Sequence, residues 1–256
     1  MREGPSPSDF RRGMIRRRLK KVKKVLLVLS GKGGVGKSVV SASIAALLAR
    51  SGMKVGLLDA DIYGPSSALL LSVSRFPLER ESGLKPPAGK GVKVMSVDLF
   101  AAGKPIPLTG RGASQALAEM MALTDWGALD LLVVDMPPST GDVMMFLTSL
   151  DKKEVAALVV ATPDRLSTNV AGRTMQLLRS AGVPVVGVLG NMARKGSTDG
   201  EVRGMAAKFR APLIGFLPYD GSVSKAVEDG SIEGLLGSKF GRALSQATSR
   251  LGVSTG

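Results

Sequence analysis

Apolar residues gather in seven short runs: Val25–Leu29, Val55–Leu58, Val92–Val97, Leu129–Val134, Val155–Val160, Val185–Leu189 and Leu213–Leu217. Most are continuously apolar, the pattern of strands covered on both faces. Helical spacing fills the gaps. Val40, Ile44, Leu47 and Leu48 mark one face of a helix, and Gly52 stands where its stop belongs. Val170, Thr174, Leu177, Leu178 and Ala181 mark another, closed by Gly182, and a last helix is predicted from about Lys239 to Leu251. Such alternation needs right-handed crossovers between parallel strands. It predicts an α/β fold, a doubly wound, mostly parallel sheet with helices on both faces. Two segments break the rhythm. Ser72–Gly91 and Gly103–Gly112 are polar, rich in Pro and Gly, and predicted as long irregular loops.

Ahead of the first strand, Met1–Asp9 reads as a loose tail. Phe10, Met14, Ile15, Leu19 and Val22 then recur at roughly helical spacing among Arg11, Arg12, Arg16, Arg17, Arg18, Lys20, Lys21, Lys23 and Lys24. Residues 1–22 are therefore read as a basic tail and amphipathic helix, and 23–256 as one domain without a second core or a repeat. Much of the formal net charge of +14 sits in this helix. It either packs on the domain with a solvated basic face or offers a cationic footprint to nucleic acid or anionic lipid.

The chain has no cysteine and no histidine. Disulfides are excluded, as are zinc or iron–sulfur sites built from its own thiolates or imidazoles. Mg²⁺, which takes oxygen ligands, is not excluded. No apolar run approaches the roughly 20 residues of a membrane-spanning helix. Val25–Leu29 is too short for a signal-peptide core, so a cytoplasmic protein is expected.

Between the first strand and the first helix runs Ser30-Gly31-Lys32-Gly33-Gly34-Val35-Gly36-Lys37-Ser38. Gly31, Gly36, Lys37 and Ser38 satisfy G-x-x-x-x-G-K-[ST]. Glycines there let successive backbone N–H groups turn inward, and the helix N-terminus adds partial positive charge. Lys37 is placed to reach the β- and γ-phosphates of a nucleotide, and Ser38 to ligate Mg²⁺. Lys32 puts a second cation on the same short loop, where the two ammonium groups would repel each other without a polyanion.

Two further strands end in carboxylates. Leu57-Leu58-Asp59-Ala60-Asp61-Ile62-Tyr63-Gly64-Pro65-Ser66 follows the second, and Leu131-Leu132-Val133-Val134-Asp135-Met136-Pro137-Pro138-Ser139-Thr140-Gly141-Asp142 carries four apolar residues and then Asp. Carboxylates at strand C-termini face the crevice where such sheets bind ligands. One can hold the waters of Mg²⁺, and another can orient an attacking water.

With these motifs the chain resembles the deviant Walker A, or signature-lysine, ATPases of the ParA/MinD superfamily. Asp-Ala-Asp-Ile-Tyr-Gly-Pro-Ser and Asp-Met-Pro-Pro-Ser-Thr-Gly-Asp narrow the resemblance to the Mrp/ApbC-type branch of iron–sulfur cluster carriers, over about Lys20 to Gly230. The resemblance implies an ATP- and Mg²⁺-dependent hydrolase working as a homodimer, with Lys32 crossing to the partner's nucleotide. It implies that Asp61 positions water and that Asp59 and Asp135 are outer-shell Mg²⁺ partners. Gly31, Gly33, Gly34, Val35, Gly36 and Val39 would cradle phosphates beside Lys32, Lys37 and Ser38. Asn191 would read adenine, and Pro218, in Leu217-Pro218-Tyr219-Asp220, would line the base.

The chain departs from that pattern where the carriers hold a Cys-x-x-Cys. Here Ala193-Arg194-Lys195-Gly196-Ser197-Thr198-Asp199-Gly200 offers no thiolate, so a cluster-related role would need a partner's ligands. Val39 replaces a usual Thr, Ser139 a usual Gly, and Thr109-Gly110-Arg111-Gly112-Ala113 only partly resembles the branch's Trp-Arg-Gly-Pro segment. The leading expectation is a nucleotide-controlled dimer with an unknown client protein, related to iron–sulfur cluster assembly. The alternatives are a ParA/MinD-type switch holding DNA or an anionic membrane through its basic surface, and a scaffold that binds ATP and barely hydrolyses it.

Overall fold

The computed structural model describes residues 7–101, 111–138, 154–194 and 199–252. All seven apolar runs are strands: β1 Val22–Ser30, β2 Val55–Asp59, β6 Val92–Ser96, β7 Leu129–Asp135, β8 Val155–Ala161, β9 Val185–Ala193 and β10 Leu213–Pro218. They form one sheet in the order β10-β9-β8-β1-β7-β2-β6-β5, parallel except for β5 (Ala88–Gly89), which pairs antiparallel with β6. The doubly wound expectation is met.

The alternation of β1 shows why continuous apolar runs were needed. Val25, Leu27 and Leu29 enter a core on one face, while Leu26 and Val28 enter a second core on the other. The first face is covered by α1 (Pro7–Leu19), α5 (Arg111–Leu123), α6 (Arg165–Ser180) and α7 (Gly200–Phe209). The second is covered by α2 (Lys37–Arg50), α3 (Ser67–Leu70), α8 (Ser222–Glu228), α9 (Ile232–Gly237) and α10 (Lys239–Thr248). A short α4 (Asp98–Ala101) follows β6, and a 3₁₀ turn, Ser249–Leu251, follows α10.

Several expectations change in detail. Helix α1 begins at Pro7, so Pro7–Asp9 belong to it rather than to the tail. It packs on α5 through Ile15, which is fully buried, with Arg18 Nε donating to the Ala122 carbonyl at 3.0 Å. Phe10, part of the predicted apolar stripe, is 67% exposed. Helix α2 has no single apolar face: Ser41, Ala42, Ser43, Ala45 and Ala46 are buried together with Val40 and Ile44. Small side chains let it nestle between β1, α9 and α10. On α6 the buried stripe is Ala171, Thr174, Met175 and Leu178, with Val170 and Leu177 at its margin.

The segment Ser72–Gly91 is not wholly irregular. It holds an antiparallel hairpin of β3 (Leu78–Arg80) and β4 (Gly83–Lys85), and then β5. The side chains of β3 and β4 are exposed or half-exposed, so no alternating pattern betrays the hairpin. Most of Gly103–Gly112 lies outside the described residues, as do Ser139–Asp142 and Lys195–Thr198.

Candidate functional site

Parallel strands place their C-terminal ends along one edge, and the motif residues converge there. The loop of residues 31–36 leaves β1 and enters α2 at Lys37. Gly36 has φ 79°, a left-handed conformation that a side chain would strain. Gly31 is required by proximity instead: a Cβ there would lie 2.2 Å from the Ala171 backbone nitrogen, so the loop rests directly on α6. Gly33 and Gly34 are exposed, Val35 is buried beneath them, and Ser38 is half-buried in the first turn of α2.

Both loop lysines are paired, and the expected repulsion between them is relieved by the fold. Lys37 Nζ lies 2.6 Å from Asp135 Oδ1, a contact buried on both sides. Ser41, one turn after Lys37 on α2, donates to the same oxygen at 2.8 Å. Lys32 Nζ lies 3.3 Å from both oxygens of Asp164. Asp164 also caps α6 by accepting from Ser167 N–H at 2.8 Å and receives the Thr162 hydroxyl. Burial works to raise the Asp164 carboxyl, but these hydrogen bonds and the Lys32 charge outweigh it and hold the group below its ordinary range.

Asp59 and Asp135 are register partners on the neighbouring strands β2 and β7. Asp59 is fully buried, and its two oxygens accept from the N–H groups of Asp61, Ser66 and Ser67 at 3.2, 3.0 and 2.9 Å. It thereby shapes the loop after β2. Burial first, and then the adjacent Asp135 charge, push its carboxyl up to about 7. Asp61 stands half-buried in that loop, tied to Asp59 by its backbone.

The donor set suits Mg²⁺. Asp135 Oδ2 is buried and has no hydrogen-bond partner, and Asp59 is its register partner on the neighbouring strand. Among the described residues no group of three or more Asp, Glu, His or Cys could hold a metal by itself. The cation would depend on phosphate oxygens for the rest of its shell.

Beside the loop lies a small cavity of about 90 Å³ that brings together four predicted residues, Gly36, Val39, Asn191 and Pro218. Met192, Tyr219, Val223 and Phe240 add apolar walls, Asp220 and Ser224 polar ones, and the Arg194 guanidinium sits 4.6 Å from the Tyr219 ring centroid. Asn191 does not simply face this space. Its Nδ2 donates to the Val35 carbonyl at 2.7 Å, and its Oδ1 accepts from the Met192 N–H at 2.9 Å.

Sequence reasoning missed Asp164, Ser41 and Phe240. Asp164 carried the signal used for Asp59 and Asp135, a carboxylate shortly after an apolar strand, here β8. Ser41 could have been found from its spacing four residues after Lys37. Phe240 comes from α10, far from any motif, and had no signal.

The profile of one family, the NUBPL iron-transfer P-loop NTPases, matches residues 21–250. The chain belongs to this family. Among its relatives, the iron–sulfur cluster carrier protein of Deinococcus radiodurans is 39% identical over 221 residues, covering 82% of this chain and 63% of that protein. The Arabidopsis thaliana iron–sulfur protein required for mitochondrial NADH dehydrogenase is 36% identical over 232 residues, covering 83% and 72%. Against the carriers of Deinococcus and Rickettsia the chain spans 63–65% of their length. Of solved structures, a nucleotide-binding protein of Archaeoglobus fulgidus in complex with ADP superposes with TM-score 0.73 at 28% identity, over 87% of this chain and 92% of that one. The MinD cell division ATPase of Pyrococcus furiosus shares the fold, at TM-score 0.67 and 21% identity over 89% and 98%. Unlike a carrier with a Cys-x-x-Cys, this NUBPL-type chain has no cysteine at all. No helix among its described residues is long and apolar enough to cross a membrane.

Proposed function

We propose that this NUBPL-type chain binds and hydrolyses ATP with Mg²⁺ as a nucleotide-controlled homodimer that serves iron–sulfur cluster assembly without ligating a cluster itself. The observation that carries the reading is the Lys37–Asp135 contact at the base of a glycine loop, with a buried, unpartnered Asp135 oxygen beside it. A buried ammonium on a strand-end carboxylate is poised to exchange that carboxylate for a phosphate.

On binding, Lys37 leaves Asp135 for the β- and γ-phosphates, and the N–H groups from Gly33 to Val39 line the phosphate chain. Ser38 would ligate Mg²⁺ directly, and Asp59 and Asp135 would hold it through water; the cation neutralises charge on the phosphate oxygens. Asn191 and Pro218 border the adenine. Asp61 orients the attacking water. Lys32 exchanges Asp164 for the nucleotide of a second copy, so dimer closure and triphosphate occupancy are linked. Residues 1–22 are a basic tail and amphipathic helix joined to an ATPase domain of residues 23–256, with Ile15 buried against it. With neither cysteine nor histidine in the chain, cluster ligands come from a client protein.

The test is phosphate release and sedimentation with Mg·ATP for the wild type and three variants. Lys37→Ala should lose binding. Lys32→Ala should bind but stay monomeric and inactive, and Asp61→Ala should bind and dimerise without turnover. Equal, near-zero turnover in all four proteins would instead favour a non-hydrolysing scaffold.

A second reading draws on α1. Its apolar side is committed to α5, leaving Arg12, Arg16 and Arg17 outward, followed by exposed Lys20, Lys21, Lys23 and Lys24. That face suits non-specific DNA or an anionic membrane in a ParA/MinD-type switch. ATP-dependent binding that falls steeply with salt supports it, and absence of binding at low salt removes it.

A further inference from the structure

Asn191 is 4% exposed, and both ends of its amide are engaged. Nδ2 donates to the Val35 carbonyl inside the phosphate loop, 156 residues away in sequence, and Oδ1 fixes the N–H of Met192. Both neighbours sit in left-handed backbone, Gly36 at φ 79° and Met192 at φ 58°. For Met192 that conformation is unfavourable and persists where surroundings impose it. A Cβ on Gly36 would come within 2.5 Å of Asn191 Nδ2, so the amide lies flat against the loop where it turns into α2. The same side chain borders the cavity with Val39 and Pro218.

An amide held at both ends cannot swing toward a base without freeing the Val35 carbonyl or the Met192 N–H. Freeing the first leaves a buried carbonyl unsatisfied, and freeing the second a half-buried N–H. One N–H of Nδ2 and one lone pair of Oδ1 remain for a ligand. We propose that Asn191 is a positioning residue that braces the phosphate loop from the side of the base cavity, so that the loop's anion-binding shape is set by β9. This rests on the reading of the loop as a triphosphate site. It differs from base recognition in one consequence: loss of Asn191 weakens ligands that have no base.

The experiment is calorimetric titration of the full chain and of Asn191→Ala with Mg·ATP, Mg·GTP and base-free tripolyphosphate. Bracing predicts that ATP and tripolyphosphate weaken by similar factors, about tenfold for one buried hydrogen bond. Unchanged tripolyphosphate binding with weakened ATP would overturn the proposal and leave Asn191 a base reader. Amide hydrogen exchange of the nucleotide-free protein gives a second readout. Bracing predicts faster exchange at residues 33–37 in Asn191→Ala, and unchanged exchange there overturns it. If the wild type binds none of the three ligands, the triphosphate reading fails, and the exchange measurement still decides whether Asn191 braces the loop. Should fluorescence of the buried Trp126 show that Asn191→Ala is unfolded, Asn191→Leu is read by the same measurements. It keeps the volume and adds no charge while removing the donor to Val35.

Discussion

Lys32 of the glycine loop and Asp164 at the head of α6 form a two-oxygen ion pair within one chain, with Nζ 3.3 Å from each carboxylate oxygen. On the proposed reading, in which this lysine reaches a second copy, it is docked at home first. The pair is partly exposed, so it is worth no more than about 1 kcal/mol, roughly a fivefold bias. Asp164→Asn keeps a helix-capping oxygen but drops the charge. It should strengthen ATP-dependent dimerisation up to about fivefold, measured by sedimentation equilibrium. Weaker dimerisation would show that Asp164 acts across the interface instead.

The Lys37–Asp135 contact is enclosed, and its energetics differ. Asp135→Ala strands a buried ammonium, which should destabilise the nucleotide-free chain by about 3–5 kcal/mol. Urea unfolding followed by Trp126 fluorescence measures it. A change below about 1 kcal/mol would mean that Lys37 finds solvent once released.

Asp59 gives the chain a pH dependence of unusual sign for a carboxylate. Its folded value of about 7 lies above the ordinary 3.8, so the folded state binds the proton more tightly. The contribution of this group to stability is therefore greatest at low pH and declines as pH rises from about 4 to about 7. Asp59→Asn should remove that slope from the urea midpoint measured across this window without nucleotide. Parallel wild-type and variant profiles would show that Asp59 titrates normally.

The glycines of the loop should not behave alike. Gly31→Ala drives a Cβ into the α6 backbone, whereas Gly33→Ala meets nothing within 4 Å and has no left-handed requirement. Gly33→Ala should leave thermal stability within about 0.5 kcal/mol of wild type, and Gly31→Ala should lower it by several times that, as an overpacked backbone contact does. Calorimetric melting of the two variants compares them directly.

The sheet was legible because two-sided burial demands uninterrupted apolar strands; β7 and β8 match their apolar runs to within a residue, while β1 begins three residues earlier, at Val22. The hairpin of β3 and β4 was not, since Leu78, Glu79 and Arg80 are all exposed and nothing selects alternation there. In the site, the loop motif and the carboxylates of Asp59 and Asp135 could be read because strand ends in parallel sheets converge. What escaped was who holds whom. That Lys32 rests on Asp164, or that Asn191 bonds Val35, depends on long-range packing of α6 and β9 against the loop, which no local spacing encodes.

Because each cation of the loop already has an anion of its own, the cradle starts out electrically balanced. Polyphosphate entry is then a swap of one counter-charge for another rather than the filling of a bare positive hole. A monovalent anion such as chloride gains little by competing with a tethered carboxylate, while a chain of linked phosphates brings several charges to the loop together. Discrimination against the common anions of the solvent is thereby built into the resting state of the loop.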